Sequence, residues 1–248
     1  MARLSVNLNK VALLRNSRHT GVPDVLTFAR AAIVAGAQGI TVHPRPDERH
    51  IRRADVPALA HLLAATPRIE LNVEGFPDAR LLDIARETRP AQCTLVPDAA
   101  DAFTSDKGWD LDAEQAALAT PAIATLKGLG ARVILFVDPD PAVVARVARA
   151  GADGIEIYTG GYAEAFRVGG GHPALLDACA ATAEAARDAG LVVNAGHDLN
   201  LLNIPPLIAR IGFLAEASIG HELTADALMM GFPAAVAAYA AALRGSGA

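Results

Sequence analysis

A (β/α)8 barrel is the fold class this sequence predicts, and three observations predict it. Eight short apolar runs each end in a polar or ionisable residue, helical sequence fills most of the intervals between them, and a small-residue phrase leads into several of the runs. In order, the runs are LSVNLN ending near Asn7, GITVHPR at His43, IELNVEG at Glu74, QCTLVPD at Asp98, RVILFVD at Asp138, GIEIYTG at Glu156, LVVNAGHD at His197 and FLAEASIGH at His221. The phrase recurs in AGAQGITVH, GLGARVILF, AGADGIEIY and DAGLVVNAG. Each reads as the last turn of a helix, a glycine suited to the left-handed C-cap, and a strand rich in β-branched residues. Helices are expected over 22–35, 54–64, 78–88, 112–129, 141–150, 172–189, 205–211 and 225–243. Strands that alternate with helices throughout argue for a parallel sheet, because parallel neighbours need a crossover connection. An open doubly wound sheet has the same local grammar; the count of eight and the chain length favour closure. No GxGxxG follows the first strand and no GxxxxGK[ST] occurs, which weakens the nucleotide-binding open sheet.

Composition narrows the class further. The 248 residues are 52% hydrophobic and 20% charged, enough to bury roughly three quarters of the unfolded surface in one core. No Pro/Ser/Gly linker divides the chain, so a single domain over 1–248 is expected. A net charge of -5 without a basic stripe, and 4% aromatics, remove the backbone-tracking and base-stacking features of a nucleic-acid binder. Cys93 and Cys179 lie far apart in sequence and in no metal-type spacing, so both are expected as reduced core residues. MARLSVNLNK enters a strand pattern at once, and no run approaches the roughly 20 apolar residues of a membrane span. A cytoplasmic location is the expectation, with no membrane partner.

Parallel strands carry their C-terminal ends to one mouth, where this architecture places its chemistry. His43 ends the second strand, and Arg45 and His50 follow within HPRPDERH. Together they read as an imidazole base beside an anion site, or as a solvated polar loop. Glu74 and Glu156 sit in strands flanked by apolar residues. A carboxyl pointing inward there has its pKa raised toward neutrality, as a general acid or base requires, or else it holds a neighbouring Arg or His. VNAGHDLN brings Asn194, Gly196 and His197 together after the seventh strand, the glycine allowing close backbone approach or simply a turn. Gly220 and His221 lead into a helix after the eighth. Loops after strands seven and eight with a helix N-terminus form the usual phosphate cradle of this fold, so a phosphorylated substrate is expected on these grounds alone. His19, His61 and His172 have no such placement. The first strand ends Asn7-Leu8-Asn9-Lys10 rather than in an HxH pair, so no metal is expected. Two connections, 17–23 and 98–109, are longer than closure requires and read as binding loops or lids.

VNLNKVALLRNSR, GITVHPRPDERHI, NVE, TLVPD with TSDKG, IEIYTGGYA, VNAGHDLN and SIGHEL, in this order, resemble the motifs of the pyridoxine 5'-phosphate synthase family, from Ser5 to about Gly231. The resemblance implies a cofactor-free (β/α)8 barrel that condenses 3-amino-2-oxopropyl phosphate with 1-deoxy-D-xylulose 5-phosphate, releasing phosphate and water. By position it implies His43 and Glu74 as proton acceptors, His197 as proton donor and Glu156 as a stabiliser of transition-state charge. It implies substrate contacts at Asn7, Asn9, Lys10, Arg18, Arg45, His50, Thr104, Asp198, Gly220 and His221. It also implies a homo-octamer built from dimers, in which residues near Arg18 reach a neighbouring site. Ring closure passes through imines that water destroys, which gives the 104–108 segment a reason to close. The chain departs from the family pattern at Asn9-Lys10, where Asp-His is usual, at Tyr158, where histidine is common, and at Asp198, where glycine is common. Two other readings stand beside this one. A Schiff-base aldolase would need an interior strand lysine, which the runs lack, and a noncatalytic phosphometabolite-binding barrel would tolerate loss of the proton carriers.

Overall fold

Each apolar run pairs in parallel with its sequence neighbour, and the first pairs with the last, so the strands close as β1-β2-β3-β4-β5-β6-β7-β8. The computed structural model describes residues 1–98, 106–169 and 173–245. Its strands are β1 (Arg3–Asn7), β2 (Gly39–Val42), β3 (Glu70–Gly75), β4 (Gln92–Leu95), β5 (Arg132–Val137), β6 (Gly154–Tyr158), β7 (Val192–Gly196) and β8 (Glu216–Ile219). The helices α1 (Asn9–Asn16), α2 (Val25–Val34), α3 (Asp55–Ala64), α4 (Ala79–Thr88), α5 (Ala113–Gly128) and α6 (Val144–Ala150) accompany the first five strands. They are followed by α7 (Gly160–Gly169), α8 (Pro173–Asp188), α9 (Ile204–Arg210), α10 (His221–Met230) and α11 (Phe232–Arg244).

Side-chain alternation sorts each strand into an outward apolar set and an inward polar one. In β3, Leu71 and Val73 join the core between sheet and helices, while Glu70, Asn72 and Glu74 turn into the barrel. The apolar core is therefore the annulus between strands and helices. Inside the barrel a polar ladder replaces the usual branched aliphatics. Ser5 and Thr41 hydroxyls lie 2.6 Å apart, Asn72 donates to Thr41 at 3.4 Å, and Thr94 donates to Asn72 at 3.2 Å. Lower in the barrel Gln92 donates to Glu216 at 3.1 Å, and Arg3 and Arg132 both pair with Glu70. Most of these buried polar groups find a partner; Asn194 Oδ1, which meets none among the described residues, is the exception.

The structure differs from the expected elements in three places. α1 begins two residues after β1, where no helix was expected. α7 begins two residues after β6, again where no helix was expected. The single helix expected over 225–243 is two, broken at Gly231, whose φ of 85° and ψ of 143° are open essentially to glycine alone. Helix starts are set by aspartates: Asp24, Asp78 and Asp112 accept from Thr27, Leu81 and Gln115 backbone N–H groups at 2.7, 2.8 and 2.9 Å. Asp24 is why α2 begins at Val25 rather than 22. Cys93 and Cys179 are buried and unbridged, as read from the sequence.

Candidate active site

The C-terminal ends of the strands open onto one cavity of about 610 Å³. From the first three strands and their loops, Asn7, Asn9, Lys10, His43, Arg45, His50 and Glu74 line it. From the far side come Glu156, His197, Asp198, Gly220 and His221. The three expected proton carriers His43, Glu74 and His197 and the expected charge stabiliser Glu156, separated by up to 154 residues in the chain (197 − 43), thus share one space.

Local hydrogen bonds fix the near wall. Asn7 Nδ2 donates to Glu74 Oε2 at 3.3 Å, and Asn7 Oδ1 accepts from the Asn9 backbone N–H at 2.9 Å, where α1 starts. Asn9 Oδ1 in turn accepts from the His43 backbone N–H at 2.9 Å. These amides tie the ends of β1 and β2 together and aim the Glu74 carboxyl. Gly196 does the same for Glu156. A Cβ at position 196 would stand 2.0 Å from Glu156 Oε1, so the absent side chain is the space the carboxyl occupies. The close approach foreseen for this glycine is made by a protein carboxyl. Gly220 similarly leaves room for Asn7, whose Cβ would be met at 3.0 Å.

Burial sets the protonation states. Glu74 is pushed up to about 8, chiefly by desolvation and then by the nearby Asp98 and Glu216 charges. Glu156 is raised well above the ordinary carboxylate value by burial and then by Glu74 and Glu216. Both ionise less readily than an ordinary carboxylate, and Glu74 keeps its proton at neutral pH. His43 is lowered to about 3 by burial and by the facing His50 and Arg45, and His50 to about 4 by burial and Arg45. Both imidazoles are neutral. His50 Nδ1 accepts from the Ile51 backbone N–H at 2.9 Å, which places its own proton on Nε2. Lys10, Arg45 and Arg49 make the flank beside His43 cationic, with the neutral His50 beside them, and Arg45 Nη1 also lies 3.4 Å from Asp98 Oδ2. Opposite, the first turn of α10 opens at Gly220–His221 with its backbone N–H groups at the cavity wall.

One expected contact is not brought into this cavity. Arg18 is exposed two residues beyond the end of α1 and does not line it, because α1 carries the chain away from the mouth. Thr104 lies outside the described residues, as does His172. Five polar lining residues were missed in the sequence, Arg49, Thr94, Arg167, Ser218 and Glu222, together with the apolar Leu13, Val96 and Phe136. Reading GGYAEAFRVG as a helix would have turned Arg167 toward the mouth. Among the described residues no set of three or more His, Cys, Asp or Glu gathers to hold a metal ion.

The family model described as "Pyridoxal phosphate biosynthesis protein PdxJ" matches residues 4–245. The chain belongs to the PdxJ family. It is 49% identical over 243 residues to the pyridoxine 5'-phosphate synthase of Brucella anthropi, covering 98% of this chain and 99% of that protein. It is also 49% identical over 245 residues to the Brucella suis protein of the same name, with the same coverage. Among solved structures, tryptophan synthase from M. tuberculosis superposes with a TM-score of 0.66 at 15% identity, over 98% of this chain and 92% of that one. Phosphoribosyl anthranilate isomerase from Thermus thermophilus does so with 0.57 at 14% identity, over 98% of each chain. At such identities these two likenesses concern the fold alone.

Within this PdxJ-family chain the three departures from the family pattern each have a visible place. Asn9 joins β1 to β2 as described, and Lys10 adds a cation to the basic flank. The Tyr158 ring stands edge-on to His197, with centroids 5.1 Å apart and planes at 77°. Asp198 places Oδ2 3.1 Å from His197 Nδ1.

Proposed function

We propose that this chain acts as a pyridoxine 5'-phosphate synthase, condensing 3-amino-2-oxopropyl phosphate with 1-deoxy-D-xylulose 5-phosphate at the barrel mouth and releasing phosphate and water. One observation carries the reading in a chain of this family: His43, Glu74, Glu156 and His197 open onto a single cavity that also has a basic flank and a helix N-terminus. Building a pyridine ring from an amine and a ketone requires imine formation, proton transfers at carbons beside carbonyls, and loss of phosphate. Each proton step wants a positioned group able to exchange protons near neutrality. His43 enters as a neutral acceptor, its value of about 3 set by burial and by the neighbouring His50 and Arg45, an effect that a bound phosphate anion offsets. Glu74, protonated at rest, becomes an acceptor once its proton is lost, and an arriving ammonium group favours that loss through its opposite charge. Glu156 offers a neutral acid or, once ionised, a charge partner for the cationic imine, and His197 serves as the proton donor. Asn7 and Asn9 position the first two of these groups.

The two phosphates have two anion-favouring regions. Lys10, Arg45 and His50 supply one, and Gly220 with His221 at the start of α10 the other. Thr104, which lies outside the described residues, is assigned a substrate contact. Chemistry requires no cofactor or metal in this scheme. Arg18, directed away from its own cavity, is assigned to the site of a neighbouring protomer in a homo-octamer of dimers. In support, the adjacent helices α1 and α10 expose Leu13, Leu14, Leu228, Met229 and Met230, an apolar surface suited to burial by a second copy. No helix among the described residues is long and apolar enough to cross a membrane, in keeping with a cytoplasmic site for this metabolite chemistry.

The test is direct. Purified protein given both phosphorylated substrates, without added metal or nucleotide, yields pyridoxine 5'-phosphate, followed by its ultraviolet absorbance. Absence of product under those conditions overturns the assignment.

A further inference from the structure

We infer that Asp198 is a positioning residue for His197: its carboxylate holds the imidazole with the proton on Nδ1 and so makes Nε2 the nitrogen that exchanges protons with substrate. The inference rests on the proposed function and replaces the substrate contact implied for Asp198 by resemblance.

Geometry carries the argument. Neighbouring side chains on an extended backbone point to opposite sides, so a carboxylate rarely meets the ring one residue before it. Here His197 and Asp198 are consecutive non-glycine residues with φ of 86° and 58°, an uncommon pair of left-handed conformations. That turn brings Oδ2 to 3.1 Å from Nδ1. The surroundings enforce it. The buried Thr159 hydroxyl lies 2.7 Å from the Gly196 carbonyl oxygen and 2.6 Å from that of His197. The buried Asn203 amide donates to the Asp198 carbonyl at 3.1 Å while its Oδ1 accepts from the Asn200 backbone N–H at 2.7 Å. Backbone strain of this kind persists only where neighbours over-determine it.

The carboxylate's other oxygen is also directed at protein. Arg167 Nη2 lies 3.8 Å from Asp198 Oδ1 and 2.5 Å from Glu222 Oε1. The hydrogen bond from His197 holds the Asp198 carboxyl below its ordinary value, so it is an anion at neutral pH and repels a substrate phosphate. Tyr158 and Phe136 flank the imidazole, with centroids 5.1 and 6.5 Å away. Ring and tautomer are thereby set together.

Asp198→Gly and Asp198→Asn test the inference without endangering the fold, since both residues accept left-handed φ. In Asp198→Gly we expect kcat to fall at least tenfold while KM for both substrates stays within twofold. Asp198→Asn, whose amide oxygen still accepts from Nδ1–H, recovers most of the loss. A rise in KM for one phosphorylated substrate at unchanged kcat, or no change in either constant, overturns the inference. A second readout needs no turnover. In ¹⁵N-histidine-labelled protein at about pH 9, where an ordinary imidazole is neutral, the His197 resonances, identified by their loss in His197→Gln, report the Nδ1–H tautomer. They move toward Nε2–H in Asp198→Gly. A wild-type Nε2–H tautomer overturns the inference whether or not the synthase assay succeeds, and an inactive wild type with the expected tautomer counts against the synthase reading alone.

Discussion

At the scale of single residues, the cavity works by refusing water to groups that would ordinarily be charged. Glu74 keeps its proton to about pH 8 because burial and the charges of Asp98 and Glu216 oppose ionisation. If the ionised form is the working base, kcat/KM rises with pH along a limb whose midpoint lies near 8, and Glu74→Gln removes both the limb and turnover. The loss expected is about 10²–10⁴-fold, typical of one positioned acid–base group. Steady-state rates between pH 6 and 9 check this, with circular dichroism to establish that the variant folds. Gly196→Ala acts through another residue. Its new methyl would occupy the place of Glu156 Oε1, so we expect Glu156 to be displaced, activity to fall, and stability to drop by roughly 1–3 kcal/mol from overpacking. An unchanged melting temperature and rate would mean that the carboxyl has another place to go. Much of this site was legible in the sequence because each strand-end residue terminates an apolar run. Arg167 and Glu222 were not legible, since they sit on helices where a charged residue normally faces solvent. The role of Gly196 was hidden as well, because its partner Glu156 lies 40 residues away (196 − 156) and meets it only through the β6–β7 register.

At the scale of elements, strands were easier to read than helices. β-branched runs bounded by glycine have few alternative interpretations, whereas NKVALLRN and GGYAEAFRVG are short, and the second opens with two glycines that disfavour helix. Tertiary contacts decide such segments: α1 buries Val11 and Ala12, and α7 buries Tyr162, whose hydroxyl donates to the Asn203 carbonyl at 2.7 Å. The inward polar ladder was half legible. Alternation marks Glu70, Asn72 and Glu74 as one face, but only closure reveals that this face is the barrel interior. The break between α10 and α11 yields a prediction at this level. Gly231→Ala places a Cβ on backbone that only glycine occupies without strain, which costs about 1–3 kcal/mol. For a chain of this size each kcal/mol lowers the melting temperature by about 2–4 °C. The break is a turn-and-a-half or more of helix from Gly220, so kcat at 25 °C is expected to stay within twofold. A scanning-calorimetry shift of zero would show that the two helices can merge.

At the scale of the whole molecule, buried acids in the barrel make folding stability depend on pH in an uncommon direction. The unfolded chain releases the Glu74 proton near its ordinary value of 4.5, whereas the folded chain holds it to about 8. Between those values the folded state binds more protons, so stability falls as pH rises, by on the order of 5 kcal/mol at most for this group. Glu156, raised by burial and by Glu74, acts in the same sense. His43 and His50 oppose it. Their folded values of about 3 and 4 lie below the ordinary 6.5, so their contribution grows as pH rises and is complete once the unfolded histidines are neutral. The unfolded histidines are only half neutral at about pH 6.5, and above about pH 7.5 only the carboxyls remain in play. We therefore expect the wild-type melting temperature to decline from about pH 7 to 8.5. Glu74→Gln, which removes one titrating acid and with it the charge that helps raise Glu156, should flatten that decline and be the more stable protein at pH 8. Thermal melts at half-unit intervals decide the matter. A variant slope equal to that of wild type would mean that Glu74 ionises in the folded chain as it does in water, and with it would go the account of this carboxyl as a protonated acid waiting at the barrel mouth.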